Sequence, residues 1–273
     1  MILWLAPFMH IRDLAHLAGK QASACVFGLI ILALILLSKS IWQPDWQLAR
    51  YDFLFLSALA IQLALLYGRL ESVEEAKMIL VFHVVGTVME LFKTHMGSWV
   101  YPEPNLFRIA GVPLFSGFMY AAVGSYLARA TRIFDLQFRR HPPLWQGALL
   151  AIAIYANFFG HHYTTDYRWL LFVTVALMFR RTQMYYQLQA SKPHRRIPLL
   201  LVFLGIALLI WLAENIATFA HIWQYPHQRD HWRPVTLAKY GSWFLLMIIS
   251  YILTTIVHRP KDWAAPLTPQ ASV

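Results

Sequence analysis

Long apolar runs, separated by short polar and often basic junctions, recur along almost the whole chain. Read as helices, they predict spans at 22–38, 52–67, 78–94, 111–128, 145–160, 167–185, 197–216 and 238–257. Most approach the roughly 20 residues that a helix needs to cross a hydrocarbon core. The sixth falls short. Its clean apolar stretch runs only from Trp169 to Phe179, and Arg180 and Arg181 would have to snorkel at its end. The pattern therefore predicts an all-α, polytopic transmembrane helical bundle of about eight spans. One integral membrane domain would cover residues 1–258, with a disordered C-terminal tail at 259–273. The opening segment, MILWLAPFMHIRDLAHLAGK, has neither a basic n-region nor a small-residue cleavage site. It predicts a short interfacial helix leading into the first span.

Composition supports membrane residence. The chain is 59% hydrophobic and 13% charged, with mean hydropathy +0.49, against roughly 25% charged in soluble domains. A formal charge of +10 would suggest nucleic acid in a soluble protein. Here the Lys and Arg lie mostly in short junctions between apolar runs, so they read as topology determinants and contacts to membrane lipids, and no nucleic-acid partner is expected. Their excess at the N-terminus, the 2–3, 4–5 and 6–7 junctions and the C-terminus predicts that both termini are cytoplasmic. Three polar loops then share the opposite face: THMGSWVYPEPN, GHHYTTDY and FAHIWQYPHQRDHW. The lone Cys25 excludes a disulfide framework and a thiolate metal cluster.

Two of these loops carry one skeleton. Glu90, Thr94, Trp99, Tyr101 and Pro102 recur, 124 positions on, as Glu214, Thr218, Trp223, Tyr225 and Pro226, and Gly117 falls opposite Gly241. Spans three and seven are four helices apart and cross in the same direction. A duplicated four-helix unit, 22–130 and 145–257, would give parallel halves related by an axis along the membrane normal.

Glu90 and Glu214 are the candidate acid and base. A carboxylate in or near hydrocarbon costs several kcal/mol unless it is protonated, paired or facing a wet cavity. Such a group suits proton transfer, and two on equivalent helices can line one cavity. The structural alternative is a satisfied helix-end group, with Lys93 three residues after Glu90 and Asn215 beside Glu214. A proton relay is a third reading. His83, seven residues before Glu90, is either its partner or a core histidine. Trp99, Tyr101, Trp223 and Tyr225 are either an interfacial belt closed by a helix-stopping proline or an aromatic wall around a ligand. With His83, His95 and Asn215 they make up the candidate ligand-binding set. His161, His162, His221, His227 and His231 share the outer face and form a secondary metal alternative. The H-x2-H-H box of membrane di-iron desaturases is absent, and neither a metal nor a cofactor is expected. Gly117, Ala121 and Ser125 repeat at i, i+4 and predict close helix packing. No phosphate loop, nucleophile elbow or hydrolase triad is present.

The segments MELFKTHMGSWVYPEPNLFRIAGVPLFSGFMYAAVGSY (89–126) and KYGSWFLLMIISYIL (239–253) resemble the YoaT-like family of uncharacterised bacterial integral membrane proteins. The resemblance implies a polytopic inner-membrane protein and no particular activity. Glu90, Gly97, Tyr101 and GVPL at 111–114 are also similar to the carotenoid-biosynthesis membrane family that includes hydratases. That similarity implies protonation or hydration of isoprenoid double bonds; SWVYPEPN stands where that family has a Gly/Phe-rich segment. Three hypotheses follow: a lipid- or isoprenoid-modifying enzyme, a carrier or binding protein for an amphipathic ligand or proton, and a helix-packing assembly protein without catalysis.

Overall fold

The computed structural model describes residues 11–43 and 45–262. The chain is mostly helical. Helices α1 (Ile11–Ala24) and α2 (Val26–Ile41) meet at Cys25 with a 74° bend. They are followed by α3 (Arg50–Tyr67), α4 (Val73–His95), α5 (Phe115–Ile133), α6 (Leu144–Gly160), α7 (Arg168–Phe179), α8 (Leu199–Phe219) and α9 (Leu237–Val257). Three of them, α3, α8 and α9, are long and apolar enough to cross a membrane, and α1–α2 makes a fourth if the bent pair is one span. Large apolar side chains such as Leu37, Leu63, Leu80, Leu149, Val173 and Leu201 stand exposed around the bundle. So much apolar surface is stable against lipid and costly against water.

α4 and α5 pack most closely, because glycines remove the side chains between them. A Cβ on Gly86 would come within 2.5 Å of the Tyr120 ring, on Gly117 within 2.5 Å of the His83 ring, and on Gly124 within 2.7 Å of Phe82. Ala121 is wholly buried, and Ser125 donates to the buried Glu71. The small-residue face of the fourth apolar segment is thus a packing surface. α4 itself starts on a capping box: the Ser72 hydroxyl accepts from Glu75 N while the Glu75 carboxylate accepts from Ser72 N.

Strands appear where only helices and junctions were expected. β3 (Gln137–Arg139), β4 (Gln183–Tyr186), β5 (Arg195–Pro198) and β6 (Lys261–Asp262) form a sheet in the order β5-β4-β3-β6, with β3 and β6 parallel. This sheet gathers the junctions before α6 and α8 and the segment after α9 at one end of the bundle. The expected sixth span, 167–185, resolves into a 12-residue helix and the start of this sheet. At 1.5 Å per residue α7 is only about 18 Å long. Arg180 and Arg181 are exposed beyond its end, where the chain turns into β4. The expected fourth span begins later than 111. A hairpin of β1 (Arg108–Ile109) and β2 (Val112–Pro113) precedes α5, and its two-residue turn places Ala110 at φ 47° and Gly111 at φ 83°. Two positive φ values are what a tight hairpin turn demands. Pro113, with no N–H to donate, tolerates this short edge strand. The expected tail begins within the fold, since β6 pairs with β3; the remainder of the tail, 263–273, and residues 1–10 of the expected interfacial helix lie outside the described residues.

Candidate functional site

The opposite end of the bundle carries the three polar loops. α4 and α8 finish there in the same way. Ser98 N donates to Lys93 O and Gly97 N to Thr94 O; 124 positions later Ile222 N donates to Ala217 O and His221 N to Thr218 O. The residue after each cap is left-handed, Gly97 at φ 68° and His221 at φ 58°. This closure satisfies the last carbonyls of both helices. Each chain then extends, and Val100 and Gln224 pair as an antiparallel bridge with reciprocal hydrogen bonds of 3.0 and 2.9 Å. In extended backbone alternate residues share a face. Trp99 and Tyr101 therefore share one side of this bridge, as do Trp223 and Tyr225, which explains the Trp-x-Tyr spacing.

The aromatic side chains meet the two carboxylates. Glu90 and Glu214 are each 3% exposed. Glu90 Oε2 accepts from Trp99 Nε1 and the Tyr101 hydroxyl, both at 2.8 Å, and its Oε1 accepts from the Tyr120 hydroxyl at 2.6 Å. Glu214 accepts from the Tyr225 hydroxyl and, at 2.6 Å, from Trp243 Nε1. Tyr101 and Tyr225 both lie 11 residues after their carboxylate. Burial first, and then the adjacent carboxylate charge, pushes both phenols well above the usual tyrosine range, so they remain donors at physiological pH. The two assemblies touch: Trp99 packs edge-on against Tyr225 at 5.9 Å, and Tyr120 lies 6.4 Å from Trp243. Lys239, at the start of α9, holds its ammonium 4.4 Å from the Tyr225 ring centre and 4.9 Å from that of Trp99, and its charge reaches both carboxylates. Below lies an apolar cleft of about 30 Å³ between α4, α5, α6, α8 and α9, whose lining includes Met89, Tyr155, Ile210, Leu246, Tyr120 and Trp243.

The family model described as "Protein of unknown function (DUF817)" matches residues 13–251. The chain belongs to this family. It is similar to the "Uncharacterized protein YoaT" of Bacillus subtilis (strain 168), 41% identical over 252 residues that cover 92% of this chain and 94% of that protein. No solved structure matches the chain.

In this family member several expected site residues stand apart from the carboxylates. Lys93 does not pair with Glu90; its ammonium is 2.8 Å from His162 Nε2 and 4.0 Å from the Phe158 ring centre. Burial, and then the Lys93 charge, holds His162 below the usual histidine range, consistent with a neutral ring accepting from the ammonium. His83 packs on Phe118 at 4.7 Å within the α4–α5 contact. His95 is exposed at the end of α4. Asn215 donates to Trp211 O and accepts from Val235 N, fastening the last loop. Trp223 is buried beside the Tyr225 phenol without reaching Glu214, whose indole donor is Trp243. The histidines do not converge: His161 packs tilted against His162 at 4.3 Å, His221 is 3.3 Å from the Gln224 amide, His227 stacks on Tyr225 and His231 accepts from Arg233. Among the described residues no three His, Cys, Asp or Glu side chains are placed to hold a metal ion.

The sequence reading missed Tyr120, Trp243 and Lys239, although all three lie in the family-like segments 89–126 and 239–253. It also missed the clamp at the start of α3. Arg50 donates to Glu103 and Ala220 O, Tyr51 to Ile222 O, and Asp52 accepts from Leu106 N, Phe107 N and Asn105. Three consecutive side chains thus hold both aromatic loops in place.

Proposed function

We propose that the protein is an inner-membrane enzyme acting on a lipid or isoprenoid, with Glu90 and Glu214 as its acid and base. The observation that carries this reading is the double role of Tyr120 and Trp243. Each donates to one carboxylate and also lines the apolar cleft, so an apolar substrate there lies one side chain from both acids. One carboxyl protonates a carbon–carbon double bond, and the other carboxylate removes a proton from the adjacent carbon or from an attacking water. The result is isomerisation or hydration, and no cofactor is required. The cleft's volume of about 30 Å³ has room for water but not for a lipid chain, so substrate entry separates the helices that line it.

The accompanying topology is eight helical segments with both termini cytoplasmic and the carboxylate end outward. Two parallel halves are supported by the shared helix endings and by Val100 pairing with its own counterpart, Gln224, as residues on a local two-fold axis do. That pairing also favours a second reading, a carrier that rocks one half against the other.

The test is reconstitution into vesicles of bacterial lipid extract, followed by mass spectrometry of the lipids. Wild-type protein should convert one component, and Glu90→Gln and Glu214→Gln should each abolish conversion while inserting normally. Conversion undiminished in both variants would overturn the acid–base reading. Accumulation inside the vesicles without chemical change would favour the carrier.

A further inference from the structure

Directly above the cleft, toward the loops, the same helices carry cations. Lys93 lies one turn beyond Met89 on α4, Lys239 one turn beyond Trp243 on α9, and Phe158, against which the Lys93 ammonium rests, three residues beyond Tyr155 on α6. Arg168 opens α7 at the same end; the charges of Lys239 and Arg168 both reach Lys93, and the opposite charge of Asp166 reaches it more weakly. Lys93 is 4% exposed. Among the described residues neither Lys93 nor Lys239 forms an ion pair, and Arg168 has Asp166 at 3.1 Å. A buried ammonium needs an anion or a full set of acceptors. Lys93 has a single imidazole nitrogen, and the half-buried Lys239 has two aromatic faces. Glu90 and Glu214 act on Lys239 through their charge, but neither hydrogen-bonds to Lys239 or Lys93; their oxygens accept from three phenol and two indole donors.

We propose that this ring is the headgroup site for a phosphate-bearing amphiphile. The phosphate sits among Lys93, Lys239 and Arg168 at the mouth, and the apolar body descends between α4, α6 and α9 into the cleft. Lysine and arginine suit a phosphate's charge and its several acceptor oxygens. The interfacial position matches the depth of a lipid headgroup, with the acids one turn deeper beside the chain it carries. This inference rests on the lipid-substrate reading and narrows it to anionic amphiphiles.

The experiment measures binding to the full chain in neutral detergent by calorimetry, with dioctanoyl phosphatidic acid, dioctanoylglycerol and inorganic phosphate as separate probes. Phosphatidic acid should bind and dioctanoylglycerol should not, with inorganic phosphate far weaker. Lys93→Gln and Lys239→Gln should each weaken phosphatidic acid binding by at least about tenfold, Lys93→Arg should retain it, and Lys77→Gln at the other end of α4 should leave it unchanged. Should a glutamine variant fail to fold, Arg168→Gln at the rim carries the same expectation. Equal binding of dioctanoylglycerol would overturn the phosphate part, and equal binding of inorganic phosphate the lipid part. Undiminished binding in the Lys93 and Lys239 variants would overturn the site. Undiminished binding there together with lost conversion in Glu90→Gln would leave the acid–base reading standing and remove only this inference.

Discussion

At the scale of single residues, the two carboxylates are unequally supplied. Glu90 has three side-chain donors and Glu214 has two. Removing one donor from a buried acceptor costs about 1–3 kcal/mol. Tyr225→Phe should therefore destabilise the protein more than Tyr101→Phe, a ranking that thermal unfolding in one detergent would check. The reverse order would mean that Tyr101 matters chiefly for its ring packing, edge-on against Phe115 at 6.3 Å and against Tyr51 at 6.1 Å. Sequence reading reached Glu90, Glu214, Trp99, Tyr101 and Tyr225 because a repeated spacing exposed them. Tyr120 and Trp243 stayed hidden. They lie 30 and 29 residues from their carboxylates, and a partner supplied by the next helix depends on helix rotation, which spacing along one segment does not encode.

At the scale of elements, the helices were legible because apolar periodicity marks them, and the strands were not. β3 and β6 are only three and two residues long, so no alternation develops, and Arg139, Arg195, Arg196 and Lys261 make β3, β5 and β6 read as basic junctions. Arg180 and Arg181 announced that the sixth apolar segment ends early; its continuation as β4 is set by pairing with β3 and β5, which lie far away in sequence. The matched endings of α4 and α8 give a sharper test. A non-glycine residue in the left-handed region costs roughly 1–2 kcal/mol, and glycine recovers part of this against its greater freedom in the unfolded chain. His221→Gly should raise stability by about 0.5–1 kcal/mol and Gly97→Ala should lower it by a similar amount. Thermal unfolding of both variants checks the pair, and opposite signs are the expected outcome.

At the scale of the whole molecule, the two ends are built differently. One is a sheet tied by ion pairs; the other is a set of loops tied by aromatic donors. Asp135 is a hub of the first, accepting from Lys261 at 3.0 Å, His194 at 3.1 Å and Gln137 at 3.1 Å. The Lys261 hydrogen bond, more than the others, holds its carboxyl below the ordinary value of 3.8. The stabilisation it provides is complete above that value and fades as pH falls through the lower folded one. The protection of β6 amides against hydrogen exchange, relative to the free peptide at the same pH, should therefore fall below about pH 3.8, and Asp135→Asn should show weak protection at every pH. At the other end, the position 124 residues before Lys239 is Phe115, which is buried. On the reading of two related halves, a single lysine breaks the equivalence of the two acids. A symmetric pair of protomers, each bearing the same acid, would have to treat both alike. On that reading, one chain that holds both halves is free to place a bridging charge off the axis and so to surround the two carboxylates differently.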